Sequence, residues 1–271
     1  MLPPIFPPTP ELTPPEIPGT HRTQVEEPWS EDPVVKEARE NANAELQSLS
    51  DKNEPTHYDE YSFVVDEMPP GVTPPEFLNQ MMRNLNGTVN NPEFDGYSDF
   101  KPRVTSGEPQ VGDIVDISLG TGTSWEDIIR VNGSVMLTEI TSSSFTYSTI
   151  TNEKRFRPDN SHPINGSREF GFEVNSDGTT RFYTRAATRP HDITGDIGKR
   201  WADRGWREWN QGLVKQINRS GGKARPDIEG YKGYRWDENT MDPRLGDSMH
   251  SYLLAMKLLD EAYARLQNLA R

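Results

Sequence analysis

Apolar and polar residues alternate with a period of two through the middle of this chain. Phe170, Phe172 and Val174 alternate with Glu169, Gly171 and Glu173, and Phe182, Thr184 and Ala186 alternate with Tyr183, Arg185 and Ala187. That is the period of half-buried strands. Between them Asn175-Ser176-Asp177-Gly178 supplies the polar, glycine-bearing link of a short hairpin. Residues 111–119 predict an earlier strand, with Val115, Ile117 and Leu119 on one side. Residues 128–140 predict one long strand or two pieces interrupted near Asn132-Gly133, and residues 145–150 predict another. Residues 58–68 read as the first strand of the series.

The helical period appears in four places. In residues 33–49 helix formers follow Pro33, which suits a first turn. Thr73-Pro74-Pro75-Glu76 carries an N-cap threonine, a proline at the first helical position and a glutamate that completes a capping box. Phe77, Met81 and Leu85 then line one apolar face up to a stop at Gly87. Ile197, Trp201, Trp209, Leu213 and Ile217 predict a long helix over residues 194–219, stopped by Ser220-Gly221-Gly222. Gly198, Gly205 and Gly212 recur along it, each costing roughly 1 kcal/mol of helix propensity relative to alanine; close approach to a sheet or ligand is one reading, a weak or kinked helix the other. Residues 223–245 read as an irregular, aromatic-bearing connection, and residues 248–271 as an amphipathic helix built on Leu253, Met256, Leu259, Tyr263 and Leu266.

Composition limits how much of the chain is core. Of 271 residues 32% are hydrophobic and 23 are proline, so one folded body with extensions is expected. Nine prolines fall in residues 1–30, which predicts an extended or disordered arm. The expected organisation is that arm, a helical linker over 31–57, a folded domain over 58–219, and a connection with a closing helix over 220–271. A net charge of −13 argues against a nucleic-acid partner. The absence of cysteine excludes disulfides, thiolate metal sites and cysteine nucleophiles. No apolar run is long enough for a membrane-spanning helix, and the N-terminus lacks the features of an ordinary signal peptide. The expected location is therefore cytoplasmic, or exported by a route without such a peptide.

The order strand, helix, run of antiparallel strands, long helix predicts an α+β fold. It resembles the START-like, or SRPBCC, helix-grip superfamily, in which a curved antiparallel sheet wraps a long helix. More narrowly, Phe145-x-Tyr147-x-Thr149, His162-Pro163-x-x-Gly166, Phe170, Asp177-Gly178, Phe182 and Arg185-Ala186-x-x-Arg189-Pro190 resemble an uncharacterised bacterial and plant family with a helix-grip-type domain. The resemblance covers about 160 residues of the chain and implies no reaction. It implies an apolar or amphipathic small molecule held between sheet and helix, in a cavity lined by Ile117, Met136, Phe170, Phe172, Phe182, Trp201 and Trp209. The same side chains also suffice for a solid core, since burying each is worth roughly 1.5–3 kcal/mol.

The polar candidates are His162, in a Pro/Gly-bounded turn and suited to acid/base work near neutral pH, and the arginines Arg168, Arg181, Arg185 and Arg189. Arg185 is the arginine placed with the ligand; a guanidinium fork holds carboxylate or phosphate, while Glu169 and Glu173 are equally placed to neutralise Arg181 and Arg185 as cross-strand pairs. His191 lies near Asp192 and Asp196. The five histidines have no metal-ligand spacing, so neither metal nor cofactor is expected. Gly120-Thr-Gly-Thr-Ser124 is neither a Walker loop nor a dinucleotide fingerprint, and no G-x-S-x-G elbow is present. Three functions remain: a ligand-binding helix-grip domain; an exported effector or interaction protein whose proline-rich arm or C-terminal helix engages a protein partner; and an enzyme using His162.

Overall fold

The computed structural model describes residues 19–51, 56–85, 96–103, 107–121, 131–151, 161–190, 193–227, 232–236 and 244–245. The sheet contains strands β1 (Thr56–Glu67), β2 (Gly96–Pro102), β3 (Ile114–Thr121), β4 (Val131–Ile140), β5 (Ser144–Ile150), β6 (Ile164–Val174) and β7 (Thr180–Pro190); all but β2 follow the predicted alternation, and β2 falls where residues 86–108 read as polar and irregular. Strands β2 to β7 form an uninterrupted antiparallel meander, and β1 returns to pair with β7. The register sets Phe172 opposite Phe182 and Phe145 opposite Phe170. Register shifts in β1 at Val65/Glu67 and in β4 at Leu137/Glu139 bend the sheet.

Four α-helices accompany it among the described residues: α1 (Arg22–Glu26), α2 (Pro33–Ala42), α3 (Pro74–Arg83) and α4 (Ile193–Arg219). The capping box of α3 forms as read: Thr73 Oγ1 accepts from Glu76 N–H and the Glu76 carboxylate accepts from Thr73 N–H at 2.7 Å. Helix α4 ends in the predicted Gly pair, with Gly222 N–H donating to Ile217 O at 3.0 Å and Gly221 N–H to Asn218 O at 3.3 Å, a Schellman motif. On the inner face of the sheet, Phe63, Val65, Val135, Leu137, Phe145, Tyr147, Phe170 and Phe182 form one core with Phe77, Leu78 and Met81 of α3 and Trp209, Leu213 and Ile217 of α4. A curved antiparallel sheet therefore grips a long helix, the architecture expected for the central domain.

Several expectations are corrected. The helix from Pro33 stops at Ala42, where Asn43 takes a left-handed conformation and closes it. Residues 45–47 then run as a wedge between the diverging ends of β5 and β6. Gln47 N–H donates to Thr149 O at 2.9 Å and Gly166 N–H donates to Gln47 O at 3.0 Å. Residues 223–245 contain strands β8 (Lys223–Pro226), β9 (Lys232–Trp236) and β10 (Arg244–Leu245); β8 and β9 pair with successive parts of β1 and extend the sheet beyond it. Residues 19–31, within the proline-rich segment, form short helical turns that bring Trp29 into a second core with Val35, Ile114, Met136 and Ile150. That core lies on the outer face of the sheet, so Met136 does not face α4. Residues 1–18, Gly87 and the amphipathic segment 248–271 lie outside the described residues.

Candidate functional site

Alternation along β1 and β6 turns two charged side chains toward α4. Asp59 and Tyr61 share the parity of Phe63 and Val65, and Arg168 shares that of Phe170 and Phe172. Asp59 and Arg168 both pair with Ala186 of β7, from its two sides. Arg168 Nη2 donates to Asp59 Oδ1 at 2.7 Å and its Nη1 to Thr184 Oγ1 at 3.3 Å. Both side chains are largely withdrawn from water, Asp59 more completely than Arg168. The Arg168 guanidinium lies 4.4 Å from the centre of the Trp206 ring, supplied by α4, and 6.0 Å from that of Tyr61. The indole face stabilises the cation from above while Asp59 stabilises it from the side.

Around this pair the wall is aromatic. Trp206 packs edge-on against Phe170 at 5.5 Å and Trp209 at 5.8 Å, and Phe170 stacks on Phe145 at 4.9 Å. Phe172 and Phe182 lie further along the same face at 5.7 Å from one another. Phe170, Phe172, Phe182 and Trp209 thus all lie on the inner face, as the sequence placed them; Trp201 belongs to α4, but its side chain lies outside those described. One turn after Trp206, Asn210 is only 6% exposed, and its Nδ2 donates to Trp206 O at 2.9 Å. Half-exposed Gly205 has open space beside it, where an added Cβ would meet nothing within 4 Å. Close approach to the sheet therefore does not account for this glycine.

Arg185 lies elsewhere. It points from the outer face of the sheet, where Nη2 donates to Glu169 Oε1 at 2.9 Å and Nε to Oε2 at 3.3 Å. Tyr183 donates its hydroxyl to Glu169 Oε1 at 2.6 Å, and the Gln24 amide of α1 donates to Oε2. Burial, reinforced by the Glu169 charge, pushes the Tyr183 phenol well above its ordinary range. Arg181 beside it engages Glu60, Ser62 and Asp227. The cross-strand ion pairs anticipated for these arginines are present, and Arg185 lies on the face of the sheet opposite α4.

His162 is built into the wedge. Its N–H donates to Gln47 Oε1, its carbonyl accepts from Gln47 Nε2 at 3.1 Å, and its Nδ1 is within 3.1 Å of Ile164 N. The imidazole lies directly on Gly133, where any Cβ would overlap the ring. Gly166 has φ +121°, a conformation other residues rarely adopt, and a Cβ there would strike Ala187 O. The His-Pro-x-x-Gly motif thus forms the seat of the Gln47 wedge. His191 lies outside the described residues.

The sheet order, the meander and the long helix against its inner face define a helix-grip domain of α+β class. No family profile matches the chain, and no curated protein does. Among solved structures, it is similar to TTHA0849 from Thermus thermophilus, at 10% identity over 59% of this chain and 95% of that one, with a TM-score of 0.34. The Zhui aromatase/cyclase from Streptomyces sp. R1128 is similar at 11% identity over 61% and 88%, with a TM-score of 0.31. Protein Ms6760 from Mycobacterium smegmatis is similar at 15% identity over 65% and 94%, with a TM-score of 0.33. At such scores these likenesses carry no weight on ligand or reaction. No helix among the described residues is long and apolar enough to cross a membrane.

Proposed function

We propose that this domain binds an amphipathic small molecule between the inner face of its sheet and helix α4, as a binding module rather than an enzyme. The observation that carries the reading is the Arg168–Asp59 pair beneath Trp206. Desolvating two charges costs several kcal/mol per ion, and an apolar pair of similar size is often at least as stable. Stability alone therefore does not account for a charge pair among Phe170, Trp206 and Tyr61. A few convergent polar groups among aromatic side chains is the usual composition of a small-molecule site. The narrower resemblance to an uncharacterised bacterial and plant family belongs with this reading. Native mass spectrometry of the purified protein should show a small-molecule adduct that Trp206→Ala loses. A bare mass, together with no saturable uptake of an uncharged aromatic probe, would sink the proposal.

A further inference from the structure

Residues 19–26 are held to the outer face of the sheet almost without apolar contact. Val25 is their only apolar side chain, half-buried against Leu49, Tyr58 and Ala187. What they bury is polar: His21, 1% exposed, and Gln24. The Gln24 amide donates to the Glu169 carboxylate, which fixes its orientation, because only the NH₂ side can donate. Its Oε1 is then buried with no hydrogen-bond partner, and release to water would satisfy it. His21 Nε2 lies 3.0 Å from Asp59 O and so carries the ring proton, while Nδ1 lies 3.0 Å from Thr20 Oγ1 and the ring meets Tyr58 edge-on. The charged groups that face this ring are Asp59 and Glu60 of β1 and Arg185 of β7. The Asp59 carboxylate is committed to Arg168 and that of Glu60 to Arg181, and burial outweighs their pull on an imidazolium. Immediately after α1, Glu27 takes a left-handed conformation, φ 46° and ψ 54°, that residues other than glycine seldom adopt. Its carboxylate is fixed by Ser48 Oγ and by Leu49 N at 3.4 Å, and Trp29 beyond it is buried in the second core. The chain is thus anchored at 27–29 and lightly held before it.

We propose that residues 19–26 form a pH-operated strap: protonation of His21 lifts α1 from the outer face about Glu27 and uncovers the Glu169–Arg185–Tyr183 cluster, while the helix-grip domain stays folded. The lifted imidazole takes up its proton near pH 6.5 and the seated one only at lower pH, so acid favours the lifted state. Segments with few buried apolar contacts are those that open independently of the rest. The experiment is hydrogen exchange on the full chain at about pH 7.5 and about pH 5, each rate corrected for the intrinsic pH dependence of exchange. The Glu27 amide donates to Thr23 O at 2.9 Å while α1 is closed. Its protection should fall several-fold at the lower pH, with a ceiling of about thirtyfold set by one proton binding at 6.5. The amides of Gln47 and Gly166 should stay at least about tenfold better protected than that of Glu27 at both pH values, as a local opening requires. His21→Gln should leave Glu27 equally protected at both. Unchanged Glu27 protection in wild type would overturn the proposal, as would protection equal to that of Gln47 and Gly166, or the same fall in His21→Gln. Should the variant not fold, the three amides of wild type decide alone.

Discussion

On the outer face of the sheet Glu169 accepts from Arg185 through two nitrogens, from Tyr183 and from Gln24, and the last of these belongs to a different part of the chain. On the inner face Arg168 and Asp59 pair within the sheet, with Thr184 beside them and Trp206 above. Both are buried Arg–carboxylate pairs, and they serve different ends. The outer pair ties residues 19–51 to β6 and β7, so its acceptors are filled by the protein. The inner pair joins strands that β7 already holds together, and an orphaned amide oxygen lies a turn of helix from the indole above it. An unpaired buried amide oxygen occurs at each place, Gln24 Oε1 at the outer joint and Asn210 Oδ1 on α4, so what separates the two pairs is the aromatic wall over the inner one.

The largest test of this contrast is Glu169→Leu. It leaves largely buried Arg185 with only the more distant, exposed Glu173 carboxylate at 3.9 Å, and breaking one partner of a buried pair costs about 3–5 kcal/mol. Urea unfolding should show that loss, and uptake of an uncharged aromatic probe by the surviving folded fraction should be unchanged. Equal loss of binding would mean that the two faces are not separable. Next in size is Gly133→Ala. The new methyl must displace the His162 imidazole, an overpacking worth about 1–3 kcal/mol, and hydrogen exchange at Gln47 and Gly166 should rise as the wedge loosens. If His162 were an acid/base group and not a packed seat, the substitution would instead leave these amides protected.

The strands and the capping box were legible because their signals are local: alternation over ten residues, or four residues in a row. The inner-face assignment of Phe170, Phe172 and Phe182 follows from the same parity. That parity also contained Arg168 and Asp59; Arg168 went unseparated from its neighbours because arginine count, not strand face, grouped it with Arg181 and Arg185. The wedge was illegible because Gln47 finds its partners at Thr149 and Gly166, more than a hundred residues on. Strands β8 and β9 were missed for a related reason. Lys223-Ala224-Arg225-Pro226 has charged, exposed positions and no apolar face of its own, and becomes a strand by pairing with β1. Asn210 carried a faint signal, a polar residue between Trp209 and Leu213 on the buried side of α4.

A smaller effect distinguishes the outer joint by pH. His21 is buried against Tyr58, with its Nε2 at 3.0 Å from Asp59 O and its Nδ1 at 3.0 Å from Thr20 Oγ1. Burial holds its pKa below the ordinary 6.5, opposed by the Asp59 carbonyl and by the charges of Asp59 and Glu60, and assisted by Arg185. The unfolded chain therefore takes up a proton where the folded one does not. The contribution is complete above pH 6.5 and is lost as pH falls through the lower folded value. Glu27 and Glu139, pushed up by burial, act in the opposite sense over the acid range. The diagnostic quantity is thus the stability of wild type minus that of His21→Gln, which should be flat above pH 6.5 and fall below it. A difference independent of pH would show that His21 titrates normally.

The smallest expected change probes the inner face. Gly205 lies in the body of α4 with room for a methyl group, so Gly205→Ala should raise stability by up to about 1 kcal/mol through helix propensity alone. Gly205→Leu puts a larger side chain at the same position, next in sequence to Trp206. If the space beside Gly205 is room for a ligand, the leucine variant keeps its thermal stability and binds an uncharged aromatic probe more weakly, while the alanine variant binds nearly as well as wild type. If it is bulk solvent, both variants bind as wild type does. Stability and binding then respond to different atoms on one residue, which is the behaviour that separates a recess kept open from a helix that happens to contain glycine.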